Sequence, residues 1–369
     1  MKNYLFSLLA GCILISIGGC KRDDDEPQRE RKPISRLYVS TAEFEANSAT
    51  SDLPNVFAID SVDLDKLPSI KKEGEFISGA KGGNTIHFSP FSAGIIFQSS
   101  VNNRTDIDTT IHVMSVSKAG VLSNTATIRN RAFDKVRGMV YTVVNDGKLS
   151  EDYLLALNAS DTVPARLFAI KQPRNQRNYT RARYRMQLGY TPWGIMTIDN
   201  DVLITKADIG TTGIAVYKDF LPRLLLDGDS VMADDGSNVL KESYLLTING
   251  ANSIRGISYS KAQDILLATD FTGSEENSVG KILVFEDFSK YTTTQNITPT
   301  RVITGAATGL RQPLDVAIDT REGAKYFFVA DPLAKRVFRF LISDNGNVQA
   351  NDEMEFNGKS PRSVSLDSR

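Results

Sequence analysis

The chain has 369 residues with 43 basic and 44 acidic side chains, so no global charge draws it towards nucleic acid or another polyanion. An apolar share of 41% supplies a packed interior, while two cysteines and two histidines are too few for a disulfide-dense framework or a histidine-rich metal site.

Residues 1–19 read as a secretory signal. Lys2 supplies a short basic start, and Tyr4 to Ile17 form an apolar stretch too short for a comfortable membrane span. The stretch ends in Ile17-Gly18-Gly19-Cys20, which resembles the lipobox of bacterial lipoproteins. That resemblance implies a mature chain that begins at a lipidated Cys20 and is held to a membrane by its acyl chains. An ordinary signal peptide is the alternative. Cys12 leaves with the signal, so the mature chain has no cysteine pair. Residues 20–35 are polar and lack apolar periodicity, as expected of a solvated tether. Their acidic cluster, Asp23-Asp24-Asp25-Glu26, resembles the export signals of some Gram-negative surface lipoproteins. The implied address is the cell envelope, as an outer-membrane lipoprotein with exposure at the surface; a generic linker is the competing reading.

From residue 36 onwards the chain is a succession of short apolar, β-branched and aromatic runs broken by polar turns, the signature of strands. Arg36 to Ser40, Asn55 to Asp60 and Glu75 to Gly79 come first. A phrase then recurs: Asn84-Thr85-Ile86-His87-Phe88-Ser89, Val136-Arg137-Gly138-Met139, Pro192-Trp193-Gly194-Ile195, Ile254-Arg255-Gly256-Ile257, Pro313-Leu314-Asp315-Val316 and Pro361-Arg362-Ser363-Val364. Its period of roughly fifty to sixty residues marks a repeat architecture. Each copy is followed by two more strand-like runs, and several units close with a fourth, such as Arg301 to Gly305. Six units of four strands predict an all-β, six-bladed β-propeller over 36–369. The first unit lacks the phrase and the C-terminus carries a surplus copy, so the C-terminal strand is expected to complete the first blade and close the ring. Gly138, Gly194, Gly256 and Ser363 share one repeat position, where strands crowding the axis demand small residues.

The run Pro313 to Asp319, with Phe328-Val329-Ala330-Asp331 and Arg336-Val337-Phe338-Arg339-Phe340, resembles an NHL-type propeller repeat, and the copies at 192–220 and 254–288 are similar but degraded. The resemblance covers roughly residues 190–345. It implies a propeller that mostly binds other molecules, with enzymes among its relatives.

No phosphate loop, no nucleophile elbow and no mature thiol is present. Asp227-Gly228-Asp229 and Asp234-Asp235-Gly236 suggest calcium by composition, but turn chemistry explains them equally well. Asp208, Asp270 and Asp331 recur at the end of the second strand of the last three units, where accepting turn N–H bonds is weighed against an acidic metal site at the axis. Arg174, Arg177, Arg181, Arg183 and Arg185, interleaved with Tyr179 and Tyr184, read as a polyanion stripe or as a charge-protected outer edge. His87 and His112 are expected to be packed polar residues.

The residues that open the six phrases, in blade order, are Arg362, Asn84, Arg137, Trp193, Arg255 and Leu314. Arginine falls on alternate blades, which predicts a positive mouth at one end of the channel, suited to carboxylate, sulfate or phosphate in forked geometry. Trp193 adds a flat stacking surface. The competing reading pairs each arginine with a carboxylate, Asp208, Asp270, Asp315 or Asp331 being the candidates. The expectation is thus an envelope-anchored binding protein for a small molecule, glycan or protein, without nucleic acid, metal or cofactor, and with Arg137, Arg255, Arg362, Trp193 and Asn84 as its ligand residues. The alternative is a metal-dependent hydrolase or lactonase-like propeller enzyme.

Overall fold

The strand runs fold as their alternation dictates. In Tyr153 to Leu157, Leu155 and Leu157 join an apolar cluster on one side of their sheet, while Leu154 and Ala156 join another on the opposite side. Both faces of each sheet are therefore buried, which is why the middle strands read as continuous apolar runs. A computed structural model describes residues 33–45, 53–91, 94–102, 107–145, 147–160, 163–208, 210–226 and 239–369. Cys20, the signal and tether sequences, and the acidic pairs at 227–229 and 234–236 lie outside the described residues.

Residues 34–369 form one compact unit. In chain order its strands are β1 (Arg36–Thr41), β2 (Val56–Asp60) and β3 (Glu75–Phe76); β4 (Gly83–Ser89), β5 (Ile95–Ser100), β6 (Thr110–Val116) and β7 (Leu122–Arg129); and β8 (Val136–Asn145), β9 (Ser150–Asn158), β10 (Arg166–Lys171) and β11 (Tyr184–Gln187). Then come β12 (Pro192–Ile198), β13 (Asp201–Lys206), β14 (Gly213–Tyr217) and β15 (Tyr244–Ile248); β16 (Ile257–Ser260), β17 (Ile265–Thr272), β18 (Val279–Glu286), β19 (Gln295–Ile297) and β20 (Arg301–Thr304); and β21 (Asp315–Ile318), β22 (Tyr326–Asp331), β23 (Arg336–Leu341), β24 (Asp352–Glu355) and β25 (Pro361–Asp367). They make six antiparallel blades of four strands, β19 excepted, in a propeller ring.

The first blade has the order β25-β1-β2-β3, so the C-terminal strand is its inner strand, in register from Arg36 opposite Asp367 to Ser40 opposite Ser363. The ring closes as the sequence expects. Six apolar clusters fill the six seams between neighbouring blades, so the core is a ring of layers with no common centre. The axis itself is left to the inner strands.

One feature of the periphery is not legible as a repeat. The connection between the third and fourth strands of a blade reaches back and pairs, in parallel, with the outermost strand of the preceding blade. β19 does so on β15, with Leu246 opposite Gln295 and Ile248 opposite Ile297. Single parallel bridges do the same at Arg129 with Tyr179, Gln187 with Val239 and Ile303 with Gly346. These contacts cover edges that would otherwise offer unpaired N–H and C=O groups. The repeated Asp-Phe pairs mark where two of these connections begin: Asp219 (φ 48°) and Asp287 (φ 51°) turn the chain through the left-handed region, and Phe220 and Phe288 drop into the core.

Candidate functional site

All inner strands run in the same direction along the axis, so the residues that open the phrases gather at one end of the channel. Close approach there is enforced by the small residue that follows. A Cβ on Gly138 would lie 2.5 Å from the Trp193 carbonyl oxygen, and one on Gly256 would lie 2.6 Å from Cα of Asp315. Hydroxyls on the second strands hold the phrases in place. Thr205 Oγ1 accepts the Gly194 N–H (2.7 Å) and donates to the Arg255 carbonyl (2.8 Å), while Thr269 Oγ1 accepts the Gly256 N–H (2.9 Å). Ser99 Oγ does the same between the Thr85 N–H (3.3 Å) and the Val136 carbonyl (3.1 Å). Sequence reasoning missed this device because the hydroxyl belongs to a different strand from the phrase it supports.

A cavity of about 250 Å³ occupies the channel. Asn84, Arg137, Trp193, Leu314 and Arg362 line it at the end where the phrases begin; Arg255 is not on its wall. The Arg362 Nε–H donates to Asn84 Oδ1 (2.8 Å), and Asn84 Nδ2–H donates to the Val136 carbonyl (2.7 Å), so Asn84 fixes Arg362 against the third blade. The Trp193 ring carries two guanidiniums contributed by the blades on either side of it, Arg137 at 4.4 Å and Arg255 at 4.1 Å from the ring centroid. Arg255 also stacks near Phe271 (5.1 Å) and donates from Nη1 to the Ile254 carbonyl (3.1 Å). The Trp193 ring is thus engaged by arginines from both neighbouring blades. Stacking uses the face of a guanidinium and leaves its in-plane donors to point elsewhere.

The competing reading, in which the arginines pair with carboxylates, does not describe Arg255 or Arg362: among the described residues neither has a carboxylate at ion-pair distance. Burial, reinforced by the Arg137 charge and only partly offset by Asp270 acting on Arg255 and Glu43 acting on Arg362 from beyond ion-pair distance, brings both down to about 10. The four candidate carboxylates have other partners. Asp331 accepts backbone N–H bonds from Arg311 (2.7 Å), Gln312 (2.8 Å), Leu333 (3.1 Å) and Ala334 (3.0 Å). Asp270 accepts from Asn252 (3.0 Å) and Ser253 (2.5 Å), and Asp208 from Thr191 (3.0 Å). In each of these three blades the carboxylate clamps the loop leading into the inner strand, which is the turn chemistry expected of it.

Asp315 lies on the channel itself. It accepts bonds from the Ser363 hydroxyl, the Val364 N–H (3.1 Å) and the Val316 N–H (2.9 Å), and burial outweighs those bonds to push its carboxyl up to about 6. Serines repeat the arrangement between other blades: Ser363 Oγ accepts the Ile86 N–H (3.0 Å), Ser365 Oγ the Phe88 N–H (2.9 Å) and Ser258 Oγ the Ile318 N–H (3.1 Å). Side-chain oxygens thus satisfy the outward N–H groups of inner strands that have no further strand to pair with.

The arginine-rich stretch does not join this site. Arg185 lies on β11, the outermost strand of the third blade, and Arg174 pairs with Asp152 (2.9 Å) while stacking on Phe91 (4.0 Å). His112 is bonded to Asp108 (3.0 Å). Among the described residues no three His, Cys, Asp or Glu side chains are grouped closely enough to hold a metal ion.

No protein-family model matches the sequence. No curated protein matches it either. Solved structures do share the fold. A chain in the crystal structure of a nidogen/laminin complex superposes with a TM-score of 0.52 at 12% identity, covering 90% of this chain and 98% of that one. A putative 6-phosphogluconolactonase from Bacteroides fragilis gives 0.51 at 12% identity, with 92% and 99% covered. Another from Bacteroides uniformis gives 0.51 at 10%, with 90% and 99% covered. At such identities the likeness establishes the propeller fold alone.

Proposed function

We propose that this propeller is a binding protein, anchored in the cell envelope through Cys20, whose channel mouth takes an anionic ligand. The observation that carries the reading is Arg362. It lines the cavity together with Arg137, is oriented by Asn84, and has no carboxylate partner among the described residues. Desolvating a cation is costly when the nearest carboxylate influence, that of Glu43, acts only from beyond ion-pair distance, and a forked carboxylate, sulfate or phosphate arriving at the mouth offsets that cost. The lipobox-like Ile17 to Cys20 and the NHL-like repeats support an anchored, interacting protein.

Calorimetric titration of inorganic phosphate and of gluconate into the full-length chain tests the mouth. Binding is expected, with Arg362→Gln weakening it about tenfold, the scale of one charged hydrogen bond of about 1.4 kcal/mol. Absence of binding by both anions, or unchanged affinity in the variant, rejects the reading. The anchor is tested separately: Cys20→Ser is expected in the soluble fraction after cell lysis, and retention on washed membranes would count against lipidation.

A second reading, a lactonase-like enzyme, rests on the two structures described as putative 6-phosphogluconolactonases. It has less support, since Asp208, Asp270 and Asp331, the acidic residues expected to hold its metal, are committed to backbone N–H groups.

A further inference from the structure

Further down the channel wall stands a side chain that the mouth does not use. His87 lines the same cavity as Arg137 and Arg362, and among the described residues no hydrogen bond reaches either ring nitrogen. The other polar groups at its level differ. Ser258 and Ser365 also line the cavity, and both accept strand-edge N–H bonds. Val140, Met196 and Ala317 complete that level with apolar groups. Burial holds the imidazole down to about 4, so at neutral pH it is uncharged and presents one N–H donor and one bare nitrogen acceptor. His87 is part-buried on the cavity wall, so a partner for its ring nitrogens comes from the channel, as water or a ligand.

The position of His87 defines the distance. Asn84, which orients Arg362, and His87 belong to the same strand, β4, three residues apart. At a rise of about 3.3 Å per residue the imidazole sits about 10 Å of strand below the mouth. The arginine side chains reach into part of that interval, so an extended chain of several atoms spans the remainder.

We propose that His87 is a specificity-determining contact of the channel: the ligand is an elongated hydroxy acid, its acid group held at the arginine mouth and a hydroxyl on its chain exchanging a hydrogen bond with the imidazole. The inference rests on the anion-binding reading of the mouth. It adds that a bare anion fills only half of the site. A hydroxyl suits a neutral imidazole because it both donates and accepts, whereas among the described residues the cations on this wall are Arg137 and Arg362 at the mouth, leaving none beside His87 for a second acid group.

The test uses the full-length chain labelled with ¹⁵N-histidine. Only two histidines exist, so its imidazole nitrogen spectrum contains two spin systems, with His112 identified by its loss in His112→Gln. Gluconate, a hydroxy acid, and inorganic phosphate are titrated in turn. Gluconate is expected to shift both His87 nitrogens along a saturable curve while His112 stays still, with phosphate leaving His87 unmoved and binding at least threefold more weakly. Calorimetric binding of both anions with equal affinity and a silent His87 overturns the proposal and leaves the anionic mouth standing. If neither anion binds, the mouth fails and the His87 contact fails with it. Gluconate binding that shifts His87 equally in Arg362→Gln and in the natural chain also overturns the proposal, since the acid group would then not be anchored where it requires.

Discussion

Single residues in the channel are set by which groups they meet across a seam. Asp315 is the clearest case, because its carboxylate serves as acceptor for the closing strand while lying where water is scarce. Its folded-state value of about 6 exceeds the ordinary 3.8, so the folded protein keeps a proton that the unfolded chain has already released. The resulting stabilisation is present in full below about pH 4 and is lost as the pH rises towards 6, amounting to at most about 3 kcal/mol at 1.36 kcal/mol per unit. Asp315→Asn removes that dependence. Urea denaturation at a series of pH values is expected to show the variant gaining on the natural protein between pH 4 and 6.5. A constant difference across that range would mean that Asp315 titrates normally. The sequence placed Asp315 on the inner phrase but offered Arg as its partner. Its actual partners, Ser363 and Val364, lie far off in the chain and become neighbours only when the ring closes.

At the scale of the element, strands and their inner position were legible because apolar alternation and a repeated phrase are local patterns. Thus β12 to β14 and β16 to β18 fall where the copies at Trp193 and Arg255 place them. The parallel crossovers were not legible: Gln295-Asn296-Ile297 has no alternation of its own, and only its neighbour β15 makes it a strand. The repeated geometry of the carboxylate clamp lies between these cases, since spacing revealed the aspartates and the structure revealed what they hold. Asp331 is fully buried and accepts four backbone N–H groups, whereas the Asp208 side chain is 32% exposed. Asp331→Ala strands four part-buried donors, each costing up to about 1–3 kcal/mol, so a loss of about 4 kcal/mol is expected in chemical denaturation. Asp208→Ala, where water replaces the lost acceptor, is expected to lose less than half as much. Equal losses at both sites would remove the case for the clamp as the source of stability.

The whole molecule depends on one seam that the chain cannot make by running forward. Between the last blade and the first, two devices meet. One is β25 on β1, which the displaced sequence phrase foretold. The other, Arg339, was read only as part of a repeated strand. It is fully buried, stacks over Tyr326 (4.2 Å), and donates to the Val62 (2.9 Å), Leu64 (2.5 Å) and Asp65 (2.7 Å) carbonyls of the first blade. Its role is invisible in sequence because those carbonyls carry no residue signature. Removing residues 361–369 leaves this clasp intact and tests the strand alone. The deletion exposes the inner edge of β1, removes Ser363 and Ser365 as acceptors for the Ile86 and Phe88 N–H groups, and takes Val364 out of the seam. With about 1–3 kcal/mol for each buried group left unpaired, a few such losses reach the roughly 5–15 kcal/mol that holds an ordinary domain. The truncated chain is therefore expected to lose its cooperative thermal transition, and adding the nine-residue peptide in excess should restore part of it by refilling the first blade. A truncated chain that melts cooperatively at the temperature of the intact one would show that the clasp and the five complete blades suffice, and that the closing strand is not what holds the ring.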